Sequence, residues 1–142
     1  MSPGEAPAST SRLRVLVADD DPTVRRCLCR SLRRYHDVEE AADGAEVVTR
    51  VRDGERFDAV LMDLEMPRMD GRRALEALEA TAPALADRTL IVTGGTRLPE
   101  LAQWLGRLRP ERVHWKPVDM DALVVCIDRL HEMRVPSPVG PR

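Results

Sequence analysis

The sequence predicts an α/β domain, a five-stranded parallel sheet with helices on both faces. Three observations predict it. Short apolar runs alternate five times with stretches whose apolar residues recur at helical spacing, the pattern of repeated βα units. The run Ala59–Met62 is apolar without a break, as a strand covered on both faces requires. The runs are separated by residues that start or stop helices rather than by hairpin turns.

Leu13–Ala18 (LRVLVA) is the first strand, and Asp21-Pro22 opens the first helix, aspartate capping it and proline taking its first position. The stripe Val24, Cys27, Leu28, Leu32 and Tyr35 is the expected inward face of that helix. A strand over Val38–Ala41 leads to a helix over Ala45–Arg52, which Asp53-Gly54 stops. Phe57–Asp63 is the third strand, and Pro67 and Gly71 bracket a loop before a helix over Arg72–Ala80. Thr89–Val92, Pro99–Leu108, Arg112–Trp115 and Asp119–Met133 complete the alternation as strand, helix, strand and helix. Residues 1–11 and 135–142, rich in Pro, Gly, Ser and Ala, are expected to be unstructured tails around one domain over 12–134.

Composition excludes several functions. The 142 residues, 43% apolar and 32% charged, suit one soluble domain. A net charge of −2 offers no basic field for nucleic acid or an anionic membrane. No apolar run spans a bilayer, and no apolar segment in the first twelve residues marks secretion, so the expected location is cytoplasmic. Cys27 and Cys29, two apart, point about 200° from each other on a helix and cannot clamp a metal. With Cys126 they are expected to be reduced thiols. His36, His114 and His131 lack ligand spacing and receive no role. Twenty-one of the 22 basic residues are arginine, so the single lysine, Lys116, hints at a site that needs a compact ammonium.

In parallel α/β sheets function gathers beyond the carboxyl ends of the strands. Here those ends carry Asp19 and Asp20, Asp63, Thr93-Gly94, and Lys116-Pro117. An aspartate after a strand is often only a helix cap, but Asp21 fills that role and frees Asp19 and Asp20. With strand order 2-1-3-4-5, strands one and three are neighbours and three carboxylates converge. Close carboxylates repel unless a cation sits among them, and hard oxygen ligands suit Mg²⁺. A hydroxyl at Thr93 and an ammonium at Lys116 complete equipment for a phosphoryl group.

The runs VLVADDDPTVRR, FDAVLMDLEMPRMDG, LIVTGG and WKP, in this order and spacing over Arg12–Met133, resemble the receiver domain of two-component response regulators. The resemblance implies a flavodoxin-like (βα)5 fold with strand order 2-1-3-4-5. It implies that Asp63 accepts a phosphoryl group from a phosphohistidine in a Mg²⁺-dependent reaction. Asp20 and Asp63 would bind the ion directly, Asp19 mainly through water, and the Glu65 backbone carbonyl would be the third protein ligand. Thr93 would hydrogen-bond the phosphoryl group, Lys116 would pair with it, and a cis bond before Pro117 would place the lysine. The implied donor is a sensor histidine kinase or a histidine phosphotransfer protein, with an unidentified downstream protein as target. The chain would be a stand-alone switch with self-catalysed phosphotransfer and autodephosphorylation, neither a turnover enzyme nor a direct DNA binder.

Departures from the family pattern stand at Val113 and Val118, where receivers often carry an aromatic, so the usual ring that reports phosphorylation is absent. Gly94-Gly95 with a non-aromatic position 113 is similar to receivers attached to hybrid histidine kinases. Gly94 serves either a turn or the room a phosphoryl group needs. Leu101, Trp104, Leu105 and Leu108 form a helical stripe for core packing, with Trp104 also a candidate docking residue. Two rival functions remain. Asp19-x-Asp21-x-Thr23 fits the signature of a haloacid-dehalogenase-like phosphatase with Asp19 as nucleophile, although that leaves Asp63 idle. The other rival is a receiver-like interaction module that is never phosphorylated.

Overall fold

The computed structural model describes residues 12–134; the tails expected over 1–11 and 135–142 lie outside the described residues. In chain order come Arg14–Ala18 (β1), Pro22–Leu32 (α1), Asp37–Ala41 (β2), Gly44–Arg52 (α2), Ala59–Met62 (β3), Gly71–Thr81 (α3), Pro83–Ala86 (α4), Thr89–Thr93 (β4), Pro99–Arg107 (α5), Val113–Trp115 (β5) and Met120–Arg134 (α6). The strands form one sheet in the order β2-β1-β3-β4-β5. All pairings are parallel, with Val15 between Val38 and Ala59, and Ile91 opposite Val113. The predicted class and strand order are both observed.

Alternation along each strand divides the core between two faces. Leu16, Val60, Met62 and Ile91 meet α2, α3, α4 and α5 through residues such as Val47, Leu75, Leu85 and Leu105. Val15, Val17, Leu61 and Leu90 meet α1 and α6 through Leu28, Leu32, Leu123 and Ile127. Every β3 residue is buried, as its unbroken apolar run requires. Full burial of a leucine contributes about 1.5–3 kcal/mol, so these two layers fix how the sheet is sandwiched and therefore where its ends point.

Four helices start on aspartate caps. Asp21, Asp43, Asp70 and Asp119 accept hydrogen bonds from the first-turn amides of α1, α2, α3 and α6. Asp53 and Gly54 (φ 96°) end α2 as the sequence predicts.

Three expectations are corrected. The inward face of α1 is Leu28, Cys29 and Leu32, while Cys27 is exposed and Tyr35 lies beyond the helix. Successive residues turn by about 100°, which places Arg25 on the same face as Leu28 and Leu32. Taking Arg25 as outward rotates the expected stripe the wrong way. A short α4, in a segment to which the sequence assigns no element, stands between α3 and β4, because Pro83 opens a single turn. Strand β5 is shorter than expected, because Pro110–Arg112 forms a 3-10 turn before it. Trp104, 9% exposed, packs with Leu101 and Leu105 in the core, so it offers no docking surface.

Candidate functional site

The carboxyl ends of β1, β3, β4 and β5 meet at one edge of the sheet. Asp19, just past β1, is 3% exposed and both its carboxylate oxygens are engaged. Oδ1 accepts from the Asp21 amide at 2.9 Å, and Oδ2 accepts from Lys116 Nζ at 2.8 Å. Its backbone carbonyl accepts from Arg25 at 2.7 Å, and Arg25 is itself held by Glu40 at 2.8 Å. Asp63, just past β3, has its amide on the Ala18 carbonyl at 3.0 Å, which ties its position to β1. Its Oδ1 accepts from the Leu64 amide at 2.8 Å, and its Oδ2 receives Lys116 Nζ at 3.4 Å. Asp20 is exposed beside them.

One ammonium therefore bridges two carboxylates that would otherwise repel. Burial lowers the Lys116 pKa, but the hydrogen bond to Asp19 and the charges of Asp63 and Asp19 outweigh it, and the net shift is upward. Asp63 also moves upward, chiefly by burial and secondarily by Asp19, with Lys116 and the Leu64 amide opposing. A compact ammonium suits this position, since its single nitrogen reaches an oxygen of each carboxylate.

Carboxylate oxygens of Asp19, Asp20 and Asp63 lie within 4.8 Å of one another. Oxygens across an octahedral Mg²⁺ stand about 4.2 Å apart, twice the metal–oxygen distance, so this hard, anionic set fits such an ion after small side-chain adjustments. Glu65 follows Asp63 by two residues and its side chain is exposed. Thr93 ends β4 and is buried, and its Oγ1 accepts from the Gly95 amide at 3.0 Å. The Lys116 amide donates to the Thr93 carbonyl at 2.9 Å, and the Lys116–Pro117 peptide is cis.

The structure thus brings Asp19, Asp20, Asp63 and Lys116 together and sets Thr93 on the adjoining strand end, its hydroxyl engaged with its own loop. Gly95 (φ 107°), not Gly94, is the glycine the turn needs, and a Cβ on Gly94 would meet nothing within 4 Å. Val113 is half-buried against the core, while Trp115 is 56% exposed and lies beside Gly95. Arg25 escaped the sequence reading because nothing in Arg25-Arg26 says which arginine turns inward.

The loop after Asp63 is seated closely. A Cβ on Gly71 would lie 2.4 Å from the Asp63 carbonyl oxygen, and one on Gly44 would lie 2.6 Å from that of Met69. Both positions exclude any side chain, so the ends of the loop are held by backbone packing.

Comparison with known proteins decides the family. The model described as response regulator receiver domain matches residues 15–128. The chain belongs to that family. A gliding motility regulatory protein of Myxococcus xanthus is 38% identical to this receiver over 99 residues, covering 68% of the chain and 12% of that protein. Sensor protein EvgS of Escherichia coli is 29% identical over 128 residues, 89% of the chain and 10% of that protein. The crystal structure of a CheY-like receiver domain protein from Methanospirillum hungatei superposes with a TM-score of 0.73 at 26% identity, covering 87% of this chain and 97% of that one. The receiver spans only about a tenth of the length of these two curated relatives. None of its described helices is long and apolar enough to cross a membrane.

Proposed function

We propose that this receiver is a phosphorylation-controlled switch in which Asp63 takes a phosphoryl group from a phosphohistidine. The observation that carries the reading is the Lys116 ammonium held between Asp19 and Asp63, beside exposed Asp20. An Asp63 carboxylate oxygen attacks phosphorus, the new O–P bond forms as the N–P bond breaks, and the electron pair leaves with the imidazole. Lys116 neutralises charge on the phosphoryl oxygens, and Thr93 exchanges its bond to Gly95 for one to the transferred group. Asp19, Asp20, Asp63 and the Glu65 carbonyl would hold Mg²⁺, which when bound screens the carboxylates from the incoming phosphate.

Arg25 fixes the backbone of Asp19 from below, so the acidic pair need not reorganise during transfer. The donor is a sensor kinase or a histidine phosphotransfer protein, a reading supported by the likeness to a sensor protein. The phosphatase alternative is disfavoured by its own motif. The Asp19 side chain is 4% exposed against 14% for that of Asp63, and Asp21, the second aspartate of that motif, is taken up in capping α1.

Incubation with Mg²⁺ and acetyl phosphate, borohydride trapping and peptide mass spectrometry test the reading. The expected result is modification at Asp63, lost in Asp63→Asn and without Mg²⁺. Modification at Asp19 instead would restore the phosphatase. No modification, from acetyl phosphate or a phosphorylated kinase, would leave a docking module.

A further inference from the structure

A buried carboxylate outside the site described above has, among the described residues, one counter-ion, and that counter-ion sits on the loop that leaves Asp63. The Asp43 side chain is 1% exposed. Its Oδ1 caps α2 by accepting from the Glu46 amide at 2.9 Å. Its Oδ2 is buried and, among the described residues, makes no hydrogen bond; its ion pair is with the Arg68 guanidinium. The Arg68 side chain is itself 69% exposed, so what holds it is the buried carboxylate, which would be left without a partner if the guanidinium turned to solvent.

Arg68 carries a backbone cost to be there. It is the one non-glycine residue with positive φ among the described residues, at 65°. Outside glycine that region is sterically unfavourable, and such residues persist where the surroundings over-determine them. Arg68 lies at the tip of the loop between β3 and α3. The Gly71 amide closes that loop on the Leu64 carbonyl at 2.7 Å, and the Gly44 amide holds the Met69 carbonyl at 3.2 Å. Gly44 directly follows Asp43, so the ion pair and the backbone bond fasten the same loop to the same helix start.

We propose that the Arg68–Asp43 pair is a latch that positions the loop after Asp63, and with it the Glu65 carbonyl, for divalent-cation binding. The inference rests on the receiver reading of Asp63 and its neighbours. Arg68 and Asp43 are positioning residues that touch neither the cation nor the phosphoryl group. Releasing the latch weakens cation binding and leaves the phosphoryl chemistry intact once the cation is saturating.

The test titrates the full chain with Mg²⁺ alone, followed by tryptophan fluorescence, and measures phosphorylation from acetyl phosphate at low and saturating Mg²⁺. Arg68→Ala removes the charge and keeps the strained backbone, while Arg68→Gly removes both. Asp43→Asn preserves the cap, since asparagine caps as well as aspartate, and removes the buried charge.

All three are expected to weaken Mg²⁺ binding about tenfold, the lower end of what loss of an outer-shell partner costs a metal site. Arg68→Lys is expected to recover part of the affinity through its point charge. The double variant Arg68→Ala/Asp43→Asn should be no worse than either single one, because both remove the same interaction. Phosphorylation rates should converge on that of the parent chain at saturating Mg²⁺. Unchanged Mg²⁺ affinity in the variants, with or without a lower melting temperature, would overturn the latch while the parent chain still takes phosphate at Asp63. A parent chain that binds no Mg²⁺ and takes no phosphate would overturn the receiver reading, and the latch with it.

Discussion

Asp63 is held at a cost to the fold, and that cost has a sign that can be measured. Burial first, and Asp19 second, raise its pKa above the ordinary 3.8 despite Lys116. Between the ordinary and the raised value the folded chain binds a proton that the unfolded chain does not, so stability falls as pH rises through that window. Above it the ionised carboxylate is unfavourable to the folded state in full; below 3.8 the penalty is gone. Asp63→Asn, without divalent cations, is therefore expected to raise the melting temperature at pH 7 by roughly 4 °C, the shift that about 1 kcal/mol gives a domain of this size. The gain should vanish by about pH 3.8. Adding Mg²⁺ should stabilise the parent chain by about 2.7 kcal/mol at a hundredfold excess over its dissociation constant, and the variant by much less. Thermal melts with EDTA and with Mg²⁺, across pH, check both halves. A variant that melts below the parent at pH 7 in EDTA would contradict the assigned strain at Asp63.

The elements show what a sequence discloses and what it hides. Strand β3 was readable because an unbroken apolar run has one common use in a parallel sheet, and the aspartate caps were readable because a cap is a local matter of one side chain and nearby amides. The rotation of α1 was not readable, because Arg25 belongs to the inward face for a tertiary reason, the Asp19 carbonyl and Glu40. The same holds at the site. Asp19, Asp20, Asp63 and Lys116 stand at strand ends that the topology must bring together, whereas Arg68 meets Asp43 through loop geometry that no spacing encodes. The corrected face of α1 makes its own prediction. Cys29, fully buried with its thiol pKa raised to about 11, should react with a thiol reagent only on unfolding, and exposed Cys27 should react at once. Cys29→Ser should lower stability by about 1–3 kcal/mol, since a hydroxyl there has no water, while Cys27→Ser should stay within about 0.5 kcal/mol. Labelling kinetics and denaturant melts of the two variants separate this face from the expected one.

Across the whole molecule, the carboxyl ends of the strands gather unbalanced acid and the opposite side is neutralised by arginine. Arg14 and Arg50 meet Glu39 and Glu55 over the Phe57 ring, with Arg14 4.4 Å from its centroid. Hydrogen bonds from Arg14 to Glu39, from Arg25 to Glu40 and from Arg50 to Glu55 lower those pKa values, so their contribution is present above the ordinary 4.5 and lost as pH falls through the depressed values. Two histidines act earlier in an acid titration. His36 is fully buried between β1 and α6, and its Nδ1 accepts from the Leu13 amide at 3.2 Å. It therefore carries its proton on Nε2, 3.6 Å from Asp128, and a second proton would have to displace the Leu13 bond. Burial lowers its pKa below 6.5, with Arg12 adding to that and Asp128, Asp37 and Asp58 opposing. Burial lowers that of His114 as well, against the Glu111 backbone and Asp119. Both then bind protons more weakly folded than unfolded, so stability is full above 6.5 and declines below it, by at most about 1.4 kcal/mol per pH unit for each histidine. The expected melting curve is flat from pH 8 to about 6.5, falls through the histidine window, and falls again below 4.5. His36→Asn keeps an acceptor for the Leu13 amide and removes the titration, so it should lower the melting temperature at pH 8 yet flatten the first decline. Melting temperatures from pH 8 to 4 decide it, and an unaltered slope between pH 6.5 and 5 in His36→Asn would place the acid sensitivity elsewhere than the seam between α6 and the sheet.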